Sequence, residues 1–239
     1  MHTQSPRIVR SIYQWLRERN LTSVVLLLLA GGGAWAFAEL ADEVLEGETH
    51  VADTWVLRVL RVPDDPATPR GPGWLAEAMR DLTALGSISV LSLVIAAVAG
   101  YCLLAGDRAA MWTMLLSGIG GVALTFVLKD LLGRTRPAVV PHLAEVSTAS
   151  FPSGHSMVSA AVYLTLGVLL AQWVDSRRLK PYFIGVAVIV TLLVGISRVY
   201  LGVHYPTDVL AGWTAGAVWA IICGLTARQV AALRGQSNE

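Results

Sequence analysis

Six apolar runs, each free of internal charge, constrain this chain more than any other feature of its sequence. They are Leu21–Ala38, Ile88–Ala105, Met111–Leu128, Met157–Val174, Tyr182–Ile196 and Val209–Thr226. A bilayer core about 30 Å thick takes roughly 18 to 20 apolar residues per helix, and the runs meet or approach that length. Composition agrees: 54% of the 239 residues are apolar and 15% are charged, where a soluble domain carries about 25% charged residues. The mean hydropathy of +0.58 excludes disorder, which needs low hydrophobicity and high net charge. The net charge of +1, from 18 basic and 17 acidic residues, gives no sign of nucleic-acid binding. Cys102 and Cys223 lie inside apolar runs and read as free small hydrophobes. Two cysteines are too few for a disulfide framework or a zinc site. The expected fold class is all-α, a polytopic membrane protein with six transmembrane helices in one domain spanning residues 1–239.

Glycines recur in the runs, as membrane helices allow. Gly212 and Gly216, four apart in the last run, let a neighbouring helix approach closely. Ala36-Phe37-Ala38 resembles a small-residue cleavage site, so the first run has a second reading as a signal peptide. Against it stands a basic leader, residues 1–20, long for such a peptide. Within the leader, Arg7 to Arg19 carries Ile8, Ile12, Trp15 and Leu16 on one side and reads as an interfacial amphipathic helix.

Orientation follows Lys and Arg in short flanking segments. An inward N-terminus puts Arg7, Arg10, Arg17, Arg19, Arg108, Arg177, Arg178, Lys180, Arg228 and Arg234 on the cytoplasmic side. N-in, C-in is therefore expected, and a composition rich in Ala, Gly and Arg with a compact six-span body suggests a bacterial plasma (inner) membrane. The 39–85 segment becomes a long outer loop. In it Thr49–Val62 spaces Val51, Trp55, Leu57 or Val59, and Val62 at near-helical intervals, the pattern of a half-buried helix on the outer face. Pro63, Pro66, Pro69 and Pro72 follow and are expected to break any regular element. Trp35, Trp112 and Trp173, near the ends of runs, read as interface anchors.

Polar groups at the ends of membrane helices are costly enough to mark function. Here they fall in three segments. Lys129 to Arg136-Pro137 ends the third run, Phe151-Pro152-Ser153-Gly154-His155 opens the fourth, and Ser197-Arg198, His204 and Asp208 bridge the fifth and sixth. With an N-in topology all three lie on the outer side, facing the periplasm or cell exterior.

The residue types suit a phosphate. Lys129, Arg136 and Arg198 can surround a dianion, the arginine forks by bidentate contact. Ser153 and Gly154 stand at a helix start, where backbone N–H groups and the helix dipole favour an anion. His204 and Asp208 form a His–carboxylate pair in which the acid fixes the tautomer. A histidine so oriented can attack phosphorus. His155 is left to protonate the leaving oxygen, and the cations stabilise the charge that develops at phosphorus.

Taken together the three segments resemble the signature motifs of the type 2 phosphatidic acid phosphatase (PAP2) superfamily: Lys-x6-Arg-Pro, Pro-Ser-Gly-His and Ser-Arg-x5-His-x3-Asp. Every signature position is present in order within 129–208, and the six-run layout resembles the family's membrane branch. The resemblance implies His204 as a nucleophile forming a phosphohistidine, with Asp208 as its partner. It implies His155 as acid and then base, and Lys129, Arg136, Ser153, Gly154 and Arg198 as the phosphate cradle. It implies no metal and no cofactor, and no carboxylate cluster in the sequence suits a metal.

Blander readings apply to the neighbours. Arg134 and His142 match no signature position and are expected to be solvated loop residues. Asp130 is read as a local ion pair with Lys129, itself open to snorkelling, and His2 and His50 receive no role. The expected activity is hydrolysis of a lipid phosphate drawn from membrane lipids. Candidates are polyprenyl pyrophosphate, phosphatidylglycerophosphate, phosphatidic acid and a lipid A-like glycolipid. A lipid phosphotransferase, a haloperoxidase-like vanadate site and a transporter or scaffold are the alternatives. Head-group preference and oligomeric state are open in the sequence. A lateral opening beside Thr49–Val62 is the expected route for the lipid.

Overall fold

The computed structural model describes residues 21–144 and 148–236, so the leader helix expected over Arg7–Arg19 lies outside the described residues. In chain order the elements are α1 (Leu21–Glu46), α2 (His50–Val59), β1 (Arg61–Val62), β2 (Asp65–Pro69), α3 (Gly73–Ala84) and α4 (Ile88–Leu104). They continue with α5 (Arg108–Leu132), α6 (Gly154–Trp173), α7 (Leu179–Tyr200) and α8 (Pro206–Gln236). α1, α5, α6, α7 and α8 are each long and apolar enough to cross a membrane. α4 has 17 residues, and a sixth span exists if it is joined to α3 across a 46° bend. The protein is a multi-pass, all-α membrane protein.

α6 is the central post. Of its apolar window 61% is buried inside the protein, against 33% for α5, α7 and α8 and none for α1. The close approach expected of Gly212 and Gly216 occurs on this post. A Cβ on Gly216 would stand 2.2 Å from the carbonyl oxygen of Met157, and one on Gly212 would stand 2.7 Å from that of Ser153. Backbone-to-backbone packing of α8 on α6 brings the first turn of each helix together. Local capping sets where the helices start. Ser87 Oγ accepts from the Val90 N–H and Asp107 Oδ1 from the Ala110 N–H, which satisfies donors that a helix start leaves free.

The 39–85 segment is far more ordered than a loop. α1 runs on to Glu46, past the end of its apolar run. α2 forms as expected, yet its buried residues are Asp53, Thr54 and Leu57, while Val51, Trp55 and Val59 are exposed. Asp53 and Thr54 therefore face the protein together with Leu57, which packs on Val140 and Tyr205, while the remaining apolar residues face outward. The prolines do not abolish regular structure either: β1 and β2 pair antiparallel, with Arg61 opposite Pro69. Both strands of a two-stranded ribbon are edges, where a proline sacrifices no ladder bond. Arg61 Nη1 donates to the Tyr200 carbonyl at 3.1 Å and Tyr200 Oη donates to the Arg70 carbonyl at 3.0 Å, pinning the ribbon to the end of α7. Cys102 and Cys223 are buried and free.

Candidate active site

The three motif segments are carried to one end of the bundle by how their helices begin and stop. α5 ends when Gly133 takes a left-handed conformation (φ +49°) and its N–H bonds the Lys129 carbonyl. The chain then crosses the helix end through Arg134 and Arg136. Arg198 lies in the last turn of α7 and Asp208 in the first turn of α8. Gly202 (φ +74°) turns the chain between them and leaves His204 beneath the junction.

These elements enclose a cavity of about 220 Å³. Lys129, Arg136, Gly154, His155, Arg198 and His204 line it, with Gly86, Ile88, Val122, Thr125, Phe126, Thr148 and Val158. Six of the eight anticipated residues therefore share one wall-to-wall space. The other two stand behind it. Asp208 is fully buried behind His204. Ser153, also fully buried, turns its hydroxyl to its own helix, where it accepts from the Ser156 N–H and hydroxyl, and its N–H is taken by the Asp208 carbonyl. The helix start thus offers Gly154 and His155 backbone donors, which have no intrahelical acceptor. A Cβ on Gly154 would stand 3.1 Å from Thr125 and 3.6 Å from Lys129 Cε. The bare glycine keeps that corner open.

The hydrogen bonds assign the tautomer of His204. Arg136 Nη1 lies 3.2 Å from His204 Nε2, and a guanidinium can only donate, so Nε2 carries a lone pair. The ring proton is then on Nδ1, 3.4 Å from both Asp208 Oδ2 and Ser150 Oγ. Ser150 spends its own proton on Asp208 Oδ2 at 2.5 Å and can accept from the ring. The Tyr205 N–H completes the set on Oδ2 at 2.9 Å. Burial drives the His204 pKa down to about 3 despite the hydrogen bond and charge of Asp208, so the resting imidazole is neutral. A neutral ring whose unprotonated Nε2 is held at the cavity wall by Arg136 is the tautomer from which histidine can act as a nucleophile once that contact is given up.

Lys129, Arg136 and Arg198 make no ion pair among the described residues. Lys129 Nζ donates to the Ala149 carbonyl. Arg136 Nε and Nη1 donate to the Thr148 and Val203 carbonyls at 2.7 Å, and Nη2 reaches Thr148 Oγ1 at 3.3 Å. Arg198 Nη1 donates to Thr83 Oγ1 at 3.1 Å, and its buried Nε has no hydrogen-bond partner among the described residues. Burial lowers the Arg136 pKa, with the charge of Asp208 acting against it. Three cations held around one space by neutral acceptors leave a positive potential there, strengthened by the low dielectric.

Arg134 overturns its expectation. It is not a solvated loop residue: its side chain is 11% exposed and bridges two carboxylates, Asp53 and Asp208, each at 2.7 Å. Burial works to lower its pKa, but Asp208 and Asp53 outweigh burial and raise it. Asp130 is exposed and makes no ion pair with Lys129 among the described residues. His142 is exposed, with Nε2 2.7 Å from the Pro137 carbonyl. Asp53, Thr83, Thr148 and Ser150 support or line the site without any sequence motif to announce them. No residue of α2 lines the cavity. The cavity's apolar wall, Ile88, Val122 and Phe126, lies between α4 and α5, with Ile88 and Phe126 more than half exposed, so the cavity lining gives no support to an opening beside α2.

A bundle of membrane-spanning helices with a cation-lined pocket at one end defines the class. The particular family follows from comparison: the model of the PAP2 superfamily matches residues 110–230, and the chain belongs to that superfamily. It is 40% identical over 146 residues to phosphatidylglycerophosphatase B of Bacillus subtilis (strain 168), covering 60% of this chain and 70% of that protein. It is 30% identical over 178 residues to the lipid A 1-phosphatase of Rhizobium etli, covering 67% and 72%. Among solved structures, the transmembrane PAP2 type phosphatidylglycerolphosphate phosphatase from Bacillus subtilis superposes with a TM-score of 0.76 at 30% identity, over 84% of this chain and 96% of that one. These homologues are lipid phosphatases.

Proposed function

We propose that this chain is a membrane lipid phosphatase that works through a phosphohistidine on His204. The observation that carries the reading is the unprotonated His204 Nε2 at the cavity wall, among three cations that have no carboxylate partner among the described residues. Lys129, Arg136, Arg198 and the backbone donors of Gly154 and His155 hold the phosphate oxygens, and Ser153 fixes the start of α6 beneath them. Nε2 attacks phosphorus as the bond to the lipid oxygen breaks, and His155 gives its proton to that oxygen. Water then loses a proton to His155 and attacks phosphorus. The P–N bond breaks, and inorganic phosphate leaves. Asp208 stabilises the charged ring of the intermediate. The cations supply the charge stabilisation, so the reaction needs no metal.

The similarity to phosphatidylglycerophosphatase B favours phosphatidylglycerophosphate among the candidate lipids. The lipid reaches the cavity between α4 and α5, where its chains stay in the bilayer. The basic residues favour an N-in, C-in arrangement in the plasma membrane and one PAP2-like unit over residues 1–239, with the site on the outer face.

The test is phosphate release by purified protein from the four candidate lipids, in EDTA, beside His204→Ala. We expect release that survives EDTA, is fastest from phosphatidylglycerophosphate and vanishes in the variant. Release abolished by EDTA, or retained by His204→Ala, overturns the mechanism. Labelled phosphate appearing in an acceptor lipid instead of water makes the chain a phosphotransferase.

A further inference from the structure

Arg134 matches no signature position of the motif it sits in and its side chain does not line the cavity, yet it has two buried carboxylates in its grip. Nη1 donates to Asp208 Oδ1 at 2.7 Å and to Thr207 Oγ1 at 2.8 Å, and Nη2 donates to Asp53 Oδ2 at 2.7 Å. Asp53, 1% exposed on α2, closes the ring. Its Oδ2 accepts from the Thr207 hydroxyl at 2.6 Å and its Oδ1 from the Thr207 N–H at 3.1 Å, so a side chain from a separate element caps the start of α8. The Arg134 guanidinium also lies 4.2 Å from the centre of the Tyr205 ring.

The division of labour on Asp208 is complete. One oxygen belongs to Arg134, and the other serves Ser150, Tyr205 and His204. A carboxylate held by both oxygens cannot turn, so Oδ2 stays at the ring nitrogen. Two buried carboxylates with no cation between them would not both remain ionised. Resting on the proposed function above, we propose that Asp53 and Arg134 are positioning residues for the nucleophile: Arg134 fixes and neutralises Asp208, and Asp53 fixes Arg134. α2 thereby belongs to the chemical machinery, although it touches no part of the cavity.

The test is steady-state kinetics on phosphatidylglycerophosphate with full-length protein, with folding followed by size exclusion and thermal unfolding. Arg134→Gln is expected to lower kcat about 100-fold, and Asp53→Asn about 10-fold, as for groups that orient a catalytic ligand from behind, with KM within about threefold because neither touches the lipid. Arg134→Lys, which keeps one charge and loses the second prong, recovers about a tenth of wild-type kcat. The double variant Asp53→Asn/Arg134→Gln is no slower than Arg134→Gln, since the two act in series. If Arg134→Gln does not fold, Arg134→Lys and Asp53→Asn read the same split. Unchanged kcat in folded variants, a loss confined to KM, or a purely additive double variant overturns the brace. Inactive wild-type protein, or an active His204→Ala measured alongside, overturns the underlying function instead.

Discussion

Arg134 and Arg136 are two residues apart and meet opposite fates. Arg134 is saturated by two carboxylates, while Arg136 makes only neutral contacts: two carbonyls, a threonine hydroxyl and an imidazole nitrogen. The same side chain is a structural tie in one place and, in the proposed mechanism, a phosphate ligand in the other. Local sequence does not separate them. What separates them is which distant acid arrives, Asp53 for one and none for the other. An unbalanced buried cation costs stability unless something neutralises it, and the site keeps two, Lys129 and Arg198, beside the half-buried Arg136. In the proposed mechanism a phosphate dianion supplies the missing balance.

This contrast can be broken by experiment. The largest effect is expected from Arg136→Met, about 10³-fold in kcat/KM, because a charge facing the transition state is removed. Unlike the Arg134 variants, it should affect KM as well as kcat, and inhibition by inorganic phosphate should weaken with it. An Arg136→Met protein with normal KM would contradict the contrast. Next comes Thr148→Asp, which puts a carboxylate beside Arg136 and gives it the partner it lacks. About 100-fold loss of kcat/KM is expected from cancelling one cationic charge at the cavity wall, and full activity would mean the unpaired state has no importance. Thr83→Val removes the single hydroxyl on Arg198 and should cost about three- to tenfold in KM, the worth of one hydrogen bond to a charged group.

The smallest effect concerns pH and stability. His204 has its pKa held near 3 by burial against an ordinary value of 6.5. Between those values the unfolded chain binds a proton at this position that the folded chain refuses. Its contribution is therefore fully present above about pH 6.5 and is lost as pH falls toward 3. The melting temperature of the wild type should decline more steeply from pH 6.5 to 5 than that of His204→Gln. Parallel curves would show a charged resting ring.

Much of this was legible because membrane helices and phosphate sites both write in residue types. Apolar runs announce the spans, and Lys129, Arg136, His155, Arg198, His204 and Asp208 announce themselves by chemistry and spacing. The remainder was hidden for physical reasons. Polar and charged residues continue α1 to Glu46 once outside the apolar layer, so its end carries no hydropathy edge. α2 turns Asp53 and Thr54 to the protein beside Leu57 and leaves Val51, Trp55 and Val59 outside, and periodicity alone cannot say which side is in. Arg134 joins Asp53 across 81 residues of chain, a pairing no local pattern encodes. Ser153 was readable as a polar group at a helix start, but not as one whose hydroxyl is consumed by its own helix.

The packing of Gly212 and Gly216 on the α6 backbone has a bearing on how the molecule is made. Asp208 stands four residues after His204, in the first turn of α8, and keeps its place behind the ring only while that helix lies bare against α6. Catalytic competence therefore waits on α8, and a product truncated before that helix should remain inert toward the lipids that surround it.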